Sequence, residues 1–220
     1  MTSDSATTST GGLRVGGRAH PPEVIAQIPI VGTWLLIGVN FFFAVPLFFA
    51  FFFLQQANFN HAWQPAGVHP PSIALGTLSF ALAAAAVGIA HSGLGDLQGQ
   101  GTLARFAAPG RVSALVLVGA IVVQIWQLSH AGFGISSGAY ASVFFATWVV
   151  LTIEMAVLAL WVLSLANRAG YEAAHPIAMP PPDSEIEVAT PISALAQSYK
   201  MFAVFAGTLI LLAWVVTYFL

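Results

Sequence analysis

The sequence has 220 residues, of which 58% are hydrophobic and only 6% are charged, whereas roughly a quarter of the residues of a soluble domain are charged. Six basic and eight acidic residues provide no basic patch, so this balance excludes nucleic acid as an expected partner. The absence of cysteine excludes disulfides, iron–sulfur clusters and thiolate metal sites. The composition therefore predicts an integral membrane protein.

The chain opens with a segment that is rich in Ser, Thr and Gly, at residues 1–17. This segment has no apolar core of the kind that a cleavable signal peptide needs. Such a composition favours a solvated, unpacked segment. We therefore predict that residues 1–29 form a flexible cytoplasmic tail.

Residues 30–220 contain several apolar stretches longer than the ~18 residues at which a membrane helix becomes the default interpretation. Lipid offers no hydrogen-bond partners, so the backbone must satisfy its own polar groups within each segment. We predict an all-α membrane protein whose single transmembrane domain has five spans, at 30–55, 72–91, 111–130, 139–167 and 199–220.

The charges indicate how these spans are oriented. With five spans, every Lys and Arg residue lies on one side of the predicted membrane, namely Arg14, Arg18, Arg105, Arg111, Arg168 and Lys200. The first and third connections contain no Lys or Arg. Because cytoplasmic loops carry the excess of positive residues, the N-terminus is predicted inside and the C-terminus outside.

The first span carries a tryptophan near one end, Trp34, and an amide near its middle, Asn40. An amide at that depth is expected to form an interhelical hydrogen bond or to contact lipid, and helix packing is the favoured interpretation. The run Phe41–Phe53 is rich in phenylalanine and is interrupted by Pro46. Its rings cover all faces of the helix, which favours contact with acyl chains over a single ligand cleft.

In the second span, small residues recur four positions apart, at Ala81 and Ala85 and at Ala84 and Gly88. Small residues at this spacing let another helix approach closely. We therefore predict that these four residues form a helix-packing face.

The fourth span contains Glu154, which is the only acidic residue deep within a predicted span. A carboxyl group in that environment is costly and is a functional hypothesis by default. Burial disfavours its charged form, so one interpretation is a neutral Glu154 that is hydrogen-bonded to a neighbouring helix or a lipid headgroup. The alternative is a role in proton handling or gating, although no second charged group within a span offers a partner.

The histidines argue against a haem or copper centre in this chain. Such a centre needs imidazoles that project from the interior of facing helices, but each histidine lies in a connection, a tail or a span end. We expect no cofactor or metal here. A surface copper site remains an alternative for the three histidines on the outer side, which are His61, His69 and His130.

The chain resembles subunit III of the haem–copper oxidases, in its short five-helix form. In the first span, Gly32-Thr33-Trp34 leads to Asn40 and three phenylalanines, where the family has Gly-x-Trp, a buried carboxylate and aromatics. Pro70-Pro71-Ser72 is similar to the family's proline-bearing start of the next span. Gln124 stands at a family Gln, and Gln127 replaces a usual Glu.

The best local match is the segment 136–145, which resembles the family's Ser-Gly-x-Tyr-x-Ser-x-Phe pattern. Directly after it the family carries two histidines, and these positions are Leu151 and Glu154 here. We therefore single out Trp34, Asn40, Gln124, Gln127 and Glu154 as candidate sites for lipid or interhelical polar contacts.

The resemblance implies a non-catalytic accessory subunit of a respiratory terminal oxidase, in a bacterial cytoplasmic (inner) membrane. Its partners would be catalytic subunit I, the other subunits of the oxidase and membrane lipids. It would hold phospholipid and steady proton uptake, with haem and copper in the partner subunits. Two alternatives are an accessory subunit of a nitric oxide reductase and a small membrane transporter or channel.

Overall fold

The computed structural model describes residues 14–15, 18–19, 22–58, 63–98, 103–175 and 191–219. Within these residues, two short strands pair in antiparallel fashion, with Arg14 opposite Ala19 and Val15 opposite Arg18. All other regular structure is helical. The elements are β1 (Arg14–Val15), β2 (Arg18–Ala19), α1 (Pro22–Gln56), α2 (Ile73–Gln98), α3 (Ala104–Ser129), α4 (Ala139–Ala174) and α5 (Ile192–Phe219).

The five helices of the described residues are each long and apolar enough to cross a membrane. About 20 residues suffice for this at a rise of 1.5 Å per residue, and the shortest apolar stretch has 23 residues. The prediction of an all-α membrane protein with five spanning helices is therefore confirmed. The orientation in the membrane stays a prediction.

The helices differ from the predicted spans at one end of the bundle only. At the end where α1, α3 and α5 stop, the observed and predicted bounds agree to within one residue. At the other end, which we call the N-terminal end, every helix is longer than predicted, so that residues 22–29 of the predicted tail are helical. The apolar pattern stops at the first polar residues, but the helix continues past them, as in α4, where Arg168 and Glu172 form an ion pair at 2.7 Å.

Helices α2, α3 and α4 form the most closely packed part of the bundle, with α3 in the middle. The buried side of α3 repeats every three or four residues, as expected for one helix face in a bundle core. Gly110 permits the approach of α4, because a Cβ atom there would lie 2.8 Å from Cβ of Ala166. The buried residues of this face are Phe106, Gly110, Ser113, Ala114, Leu117, Ala120, Gln124 and Gln127.

Serine hydroxyls connect α2 to α3 at two levels. Ser113 donates to the carbonyl of Ala86 at 2.7 Å, and Ser79 donates to the carbonyl of Ala120 at 3.1 Å. The face that α2 presents to its neighbours contains Ala83, Ala86 and Ala90, all buried. Ala81, Ala84, Ala85 and Gly88 are instead exposed, so the predicted face does not pack against another helix of the described bundle. Alanine covers both sides of α2, so residue size alone does not identify the packed one.

Helix α1 lies at the edge of the bundle and contacts α4 and α5 among the described helices. Only 11% of its most apolar window is buried, against 44% for α4. Ala44 and Phe51 point into the bundle, whereas Phe41, Phe42 and Phe43 are exposed. The phenylalanine-rich run therefore mostly faces the surroundings, as predicted from its spread over the helix surface.

The connection after α1 is fastened to the start of α4 by an aromatic cluster. Trp63 is buried and lies 5.0 Å from the Phe51 ring and 5.5 Å from the Tyr140 ring, both edge to face. The backbone N–H of Tyr140 donates to the carbonyl of Trp63 at 3.0 Å. Gly138 precedes α4 at φ +147°, and a Cβ atom there would approach Pro65 to 2.7 Å. Only glycine adopts this backbone conformation without strain.

Candidate functional site

Glu154 lies in α4 on the side that faces α1, and it is only 3% exposed. It lines a small cavity of about 10 Å³ together with Ala44, Leu47 and Phe48 of α1. Neither carboxyl oxygen has a hydrogen-bond partner among the described residues, so the expected bond to a neighbouring helix is not formed there. A cavity of this size holds about one water molecule.

Thr147 lies on the same cavity, two turns before Glu154 on α4. The remaining walls belong to α4 itself, at Val150 and Leu151. The cavity is thus largely apolar, and the carboxyl group has neither a cation nor a second carboxyl group beside it in the cavity wall. This arrangement can retain a neutral carboxyl group, but it does not by itself form a chain for proton transfer.

Gln127 is a buried amide that joins several helices of the described bundle. It is 2% exposed, and its Nε2 donates to the carbonyl of Ser72 at 3.1 Å and to the hydroxyl of Tyr218. Three helices therefore meet at one amide, since Ser72 immediately precedes α2 and Tyr218 lies near the end of α5. Gly76 makes room for this contact, because a Cβ atom there would overlap the Tyr218 phenol.

Gln124 lies one helical turn before Gln127 on the same face of α3 and is fully buried. Both its Nε2 and its Oε1 lack a hydrogen-bond partner among the described residues, as does Oε1 of Gln127. Arg111 donates to Asn167 at 3.3 Å. Gln124 lies as many residues from Arg111 along α3 as Glu154 lies from Asn167 along α4. The two side chains are therefore at a similar depth in the bundle, but Glu154 faces α1.

The two candidates on α1 are separate from these groups. Asn40 donates through Nδ2 to the carbonyl of Leu36 at 2.9 Å, within its own helix, rather than to another helix. Trp34 is 62% exposed and lines a groove between α1 and α5. The structure therefore brings Gln124 and Gln127 together and leaves Trp34, Asn40 and Glu154 at other places.

The groove between α1 and α5 consists of two adjoining cavities of about 1120 and 490 Å³. Trp34, Ile37 and Phe205 line both cavities, so the groove is continuous. At the N-terminal end of the bundle its walls include four polar side chains among apolar ones, namely Lys200, Gln197, Gln27 and Ser193. Toward the middle of the bundle the walls are apolar except at Thr208, and no acidic residue of the described chain lines the groove.

Sequence reasoning missed two residues of these sites. It did not single out Tyr218, and it used Lys200 only as a charge that orients the spans. It also did not single out Tyr140 at the start of α4. Tyr140 carries a buried hydroxyl without a hydrogen-bond partner among the described residues. A polar tip on an aromatic ring is a signal for a buried partner, but the sequence does not identify which helices meet there.

The described part of the chain contains no group of three or more His, Asp or Glu side chains placed to hold a metal ion. His130 stacks on Trp126 with 4.1 Å between ring centroids. His61, one of the three histidines of the alternative copper site, lies outside the described residues.

No protein-family model matches this sequence, and no curated protein matches it at a significant level. Conclusions about function therefore depend on the residues and geometry of the chain itself.

Proposed function

We propose that this chain is a non-catalytic accessory subunit of a respiratory haem–copper terminal oxidase, located in a bacterial cytoplasmic membrane. It binds catalytic subunit I and supports that subunit in aerobic electron transport and proton uptake, by holding phospholipid and stabilising the complex. Haem and copper belong to the partner subunits. The motifs around Trp34, Gln124 and Tyr140 favour this family, and the arrangement of five spanning helices agrees with its short form.

The groove between α1 and α5 is the observation that carries the lipid-binding part of this proposal. Its polar end contains the ammonium group of Lys200 without a neighbouring acidic residue in the described walls, which favours an anionic headgroup. Its apolar part is lined by rings and aliphatic side chains that suit an acyl chain. From Ser193 to Leu209 the groove runs about 24 Å along α5, more than the ~15 Å of half the hydrocarbon layer.

Lipid retention tests this assignment directly. We expect Lys200→Gln to lower the amount of anionic phospholipid that copurifies with the chain, measured by native mass spectrometry. Arg105→Gln is the matched control, because Arg105 is an exposed cation at the same end of the bundle and does not line the groove. Equal lipid retention in both variants would contradict the groove as the binding site.

Copurification tests the oxidase partner. Purification through an affinity tag on this chain should recover a haem–copper catalytic subunit, identified by mass spectrometry and by a haem absorption spectrum of the complex. Recovery of a nitric oxide reductase instead would favour the related accessory role in that enzyme. Recovery of the chain alone, together with solute or ion flux in vesicles, would favour a transporter or channel.

The proposed orientation places the N-terminal end of the bundle in the cytoplasm. Arg105, Arg111, Arg168 and Lys200 all lie in the parts of the helices near this end, as the positive-inside rule requires. A reporter that is active only outside the cytoplasm should be active when fused after Leu220 and silent when fused after Gly17. The reverse pattern would overturn this orientation.

A further inference from the structure

Polar groups from three parts of the chain converge near the end of α3. Together with Gln124 they are called the polar centre. It consists of the amides of Gln124 and Gln127, the hydroxyl of Tyr218 and the carbonyl of Ser72. Both glutamines are at least nine-tenths buried. The two amides therefore lie inside the bundle, whereas Tyr218 is half-buried and Ser72 is exposed.

The hydrogen-bonding capacity of the polar centre is only partly used. Nε2 of Gln127 is occupied by Ser72 and Tyr218. Oε1 of Gln127 and both polar atoms of Gln124 have no partner among the described residues. Buried amides are almost always hydrogen-bonded, because an unmet donor or acceptor retains the full cost of its removal from water.

The unmet groups are complementary in kind. Gln124 offers two N–H donors and one acceptor, and Gln127 offers a further acceptor one turn away on the same face. The two side chains nevertheless form no direct hydrogen bond in the structure. A group that both donates and accepts would satisfy both amides at once.

The chemistry of the polar centre identifies the kind of ligand. Its four groups are neutral, so nothing there compensates the charge of an ion. Gly76 lies directly against Tyr218, so that side of the polar centre has no space for a larger ligand. Buried water typically forms about three hydrogen bonds to otherwise unsatisfied groups of this kind.

We propose that the polar centre is a binding site for internal water, in which a water molecule joins the Gln124 amide to Oε1 of Gln127. The site connects α3 to α2 and α5 at this end of the bundle. Tyr218 is half-buried, so the polar centre extends from the fully buried Gln124 to a partly exposed side chain near the end of α5. This inference is independent of the oxidase assignment.

Thermal unfolding of the purified full-length chain in detergent tests the site. If water bonds Gln124, Gln124→Leu removes those bonds and should lower Tm by about 2–4 °C. The double variant with Tyr218→Phe should lower Tm by less than the sum of the single variants, because both residues belong to one network. Met155→Leu is the control, since Met155 is also fully buried but apolar.

An unchanged or raised Tm in Gln124→Leu would overturn the proposal, because removing truly unpartnered atoms relieves their desolvation cost. If Gln124→Leu does not fold, a density map of the unaltered chain decides. A high-resolution density map separates water from direct side-chain bonds. Density at about 2.7–3.2 Å from the Gln124 amide and from Oε1 of Gln127 is expected, and a direct bond between the two amides would refute the site.

Discussion

Helix α1 and the bundle of α2–α5 are about equally apolar, yet they are buried to very different extents. The most apolar window of α1 has a mean hydropathy of 2.3 and is 11% buried, whereas α4 has the same hydropathy and is 44% buried. Hydropathy measures the preference for lipid over water, and it does not separate contact with lipid from contact with protein.

What separates the two regions is the size and polarity of the residues on the packed faces. The faces of α2 and α3 contain alanine, glycine and serine, which let the helices approach and exchange hydrogen bonds. Helix α1 exposes large apolar side chains along its length, with phenylalanine from Phe41 to Phe53, and its Asn40 bonds within the helix. Small residues therefore permit the close approach of α2, α3 and α4, although large side chains such as Phe106 and Trp148 are also buried there.

The largest expected difference is between two phenylalanines. Phe106 of α3 is fully buried, whereas Phe42 of α1 is 79% exposed. Phe106→Ala leaves a cavity and should lower the free energy of unfolding by about 3 kcal/mol. Phe42→Ala is the matched control and should change it by less than about 0.5 kcal/mol. Denaturant unfolding of both purified variants measures the contrast, and equal losses would show that α1 is packed as tightly as α3.

The attachment of the first connection to α4 is the next target. Gly138→Ala places a Cβ atom at φ +147° and against Pro65, so it should cost about 2 kcal/mol. Gly134 lies, like Gly138, in the connection between α3 and α4. A Cβ atom added at Gly134 would have the Ser137 hydroxyl as its nearest neighbour, at 3.8 Å. Gly134→Ala should therefore be tolerated. The same unfolding measurement applies, and an undisturbed Gly138→Ala would contradict the requirement for glycine.

A third pair compares glycines within helices. Gly110→Ala places a methyl group 2.8 Å from Cβ of Ala166. Overpacking lowers the free energy of unfolding by about 1–3 kcal/mol. The better helix propensity of alanine offsets about 1 kcal/mol of this loss. The net loss is thus about 1 kcal/mol. At Gly38 of α1 an added Cβ atom meets nothing within 4 Å, so Gly38→Ala should be neutral or stabilising. A stabilised Gly110→Ala would mean that α3 and α4 separate easily.

The smallest effect is expected at Glu154, where α1 meets α4. Its carboxyl group has no hydrogen-bond partner among the described residues, so Glu154→Leu and Glu154→Gln should each change the free energy of unfolding by less than about 1 kcal/mol. A larger loss in Glu154→Leu than in Glu154→Gln would indicate a bond that stabilises the fold. In the complete oxidase, slower turnover of Glu154→Gln with normal subunit content would assign Glu154 to proton handling.

The candidate sites were predictable to different degrees. Glu154 was singled out because a carboxyl group in an apolar span is rare, and such a signal depends on the residue alone. Gln124 and Gln127 entered only through the family resemblance, since an amide three residues from another amide has no distinctive pattern. Their partners Ser72 and Tyr218 come from helices that are distant in sequence, so no local pattern could identify them.

The sequence by itself determined that five helices form, and where they end at one end of the bundle, because lipid obliges every apolar stretch to satisfy its backbone internally. It did not determine how far the helices continue past the polar residues at the N-terminal end. Only the tertiary structure decided which face of α2 is packed, that α1 is peripheral and that Gln127 joins three helices. These features depend on the approach of helix surfaces with similar composition, and hydropathy assigns those surfaces the same value.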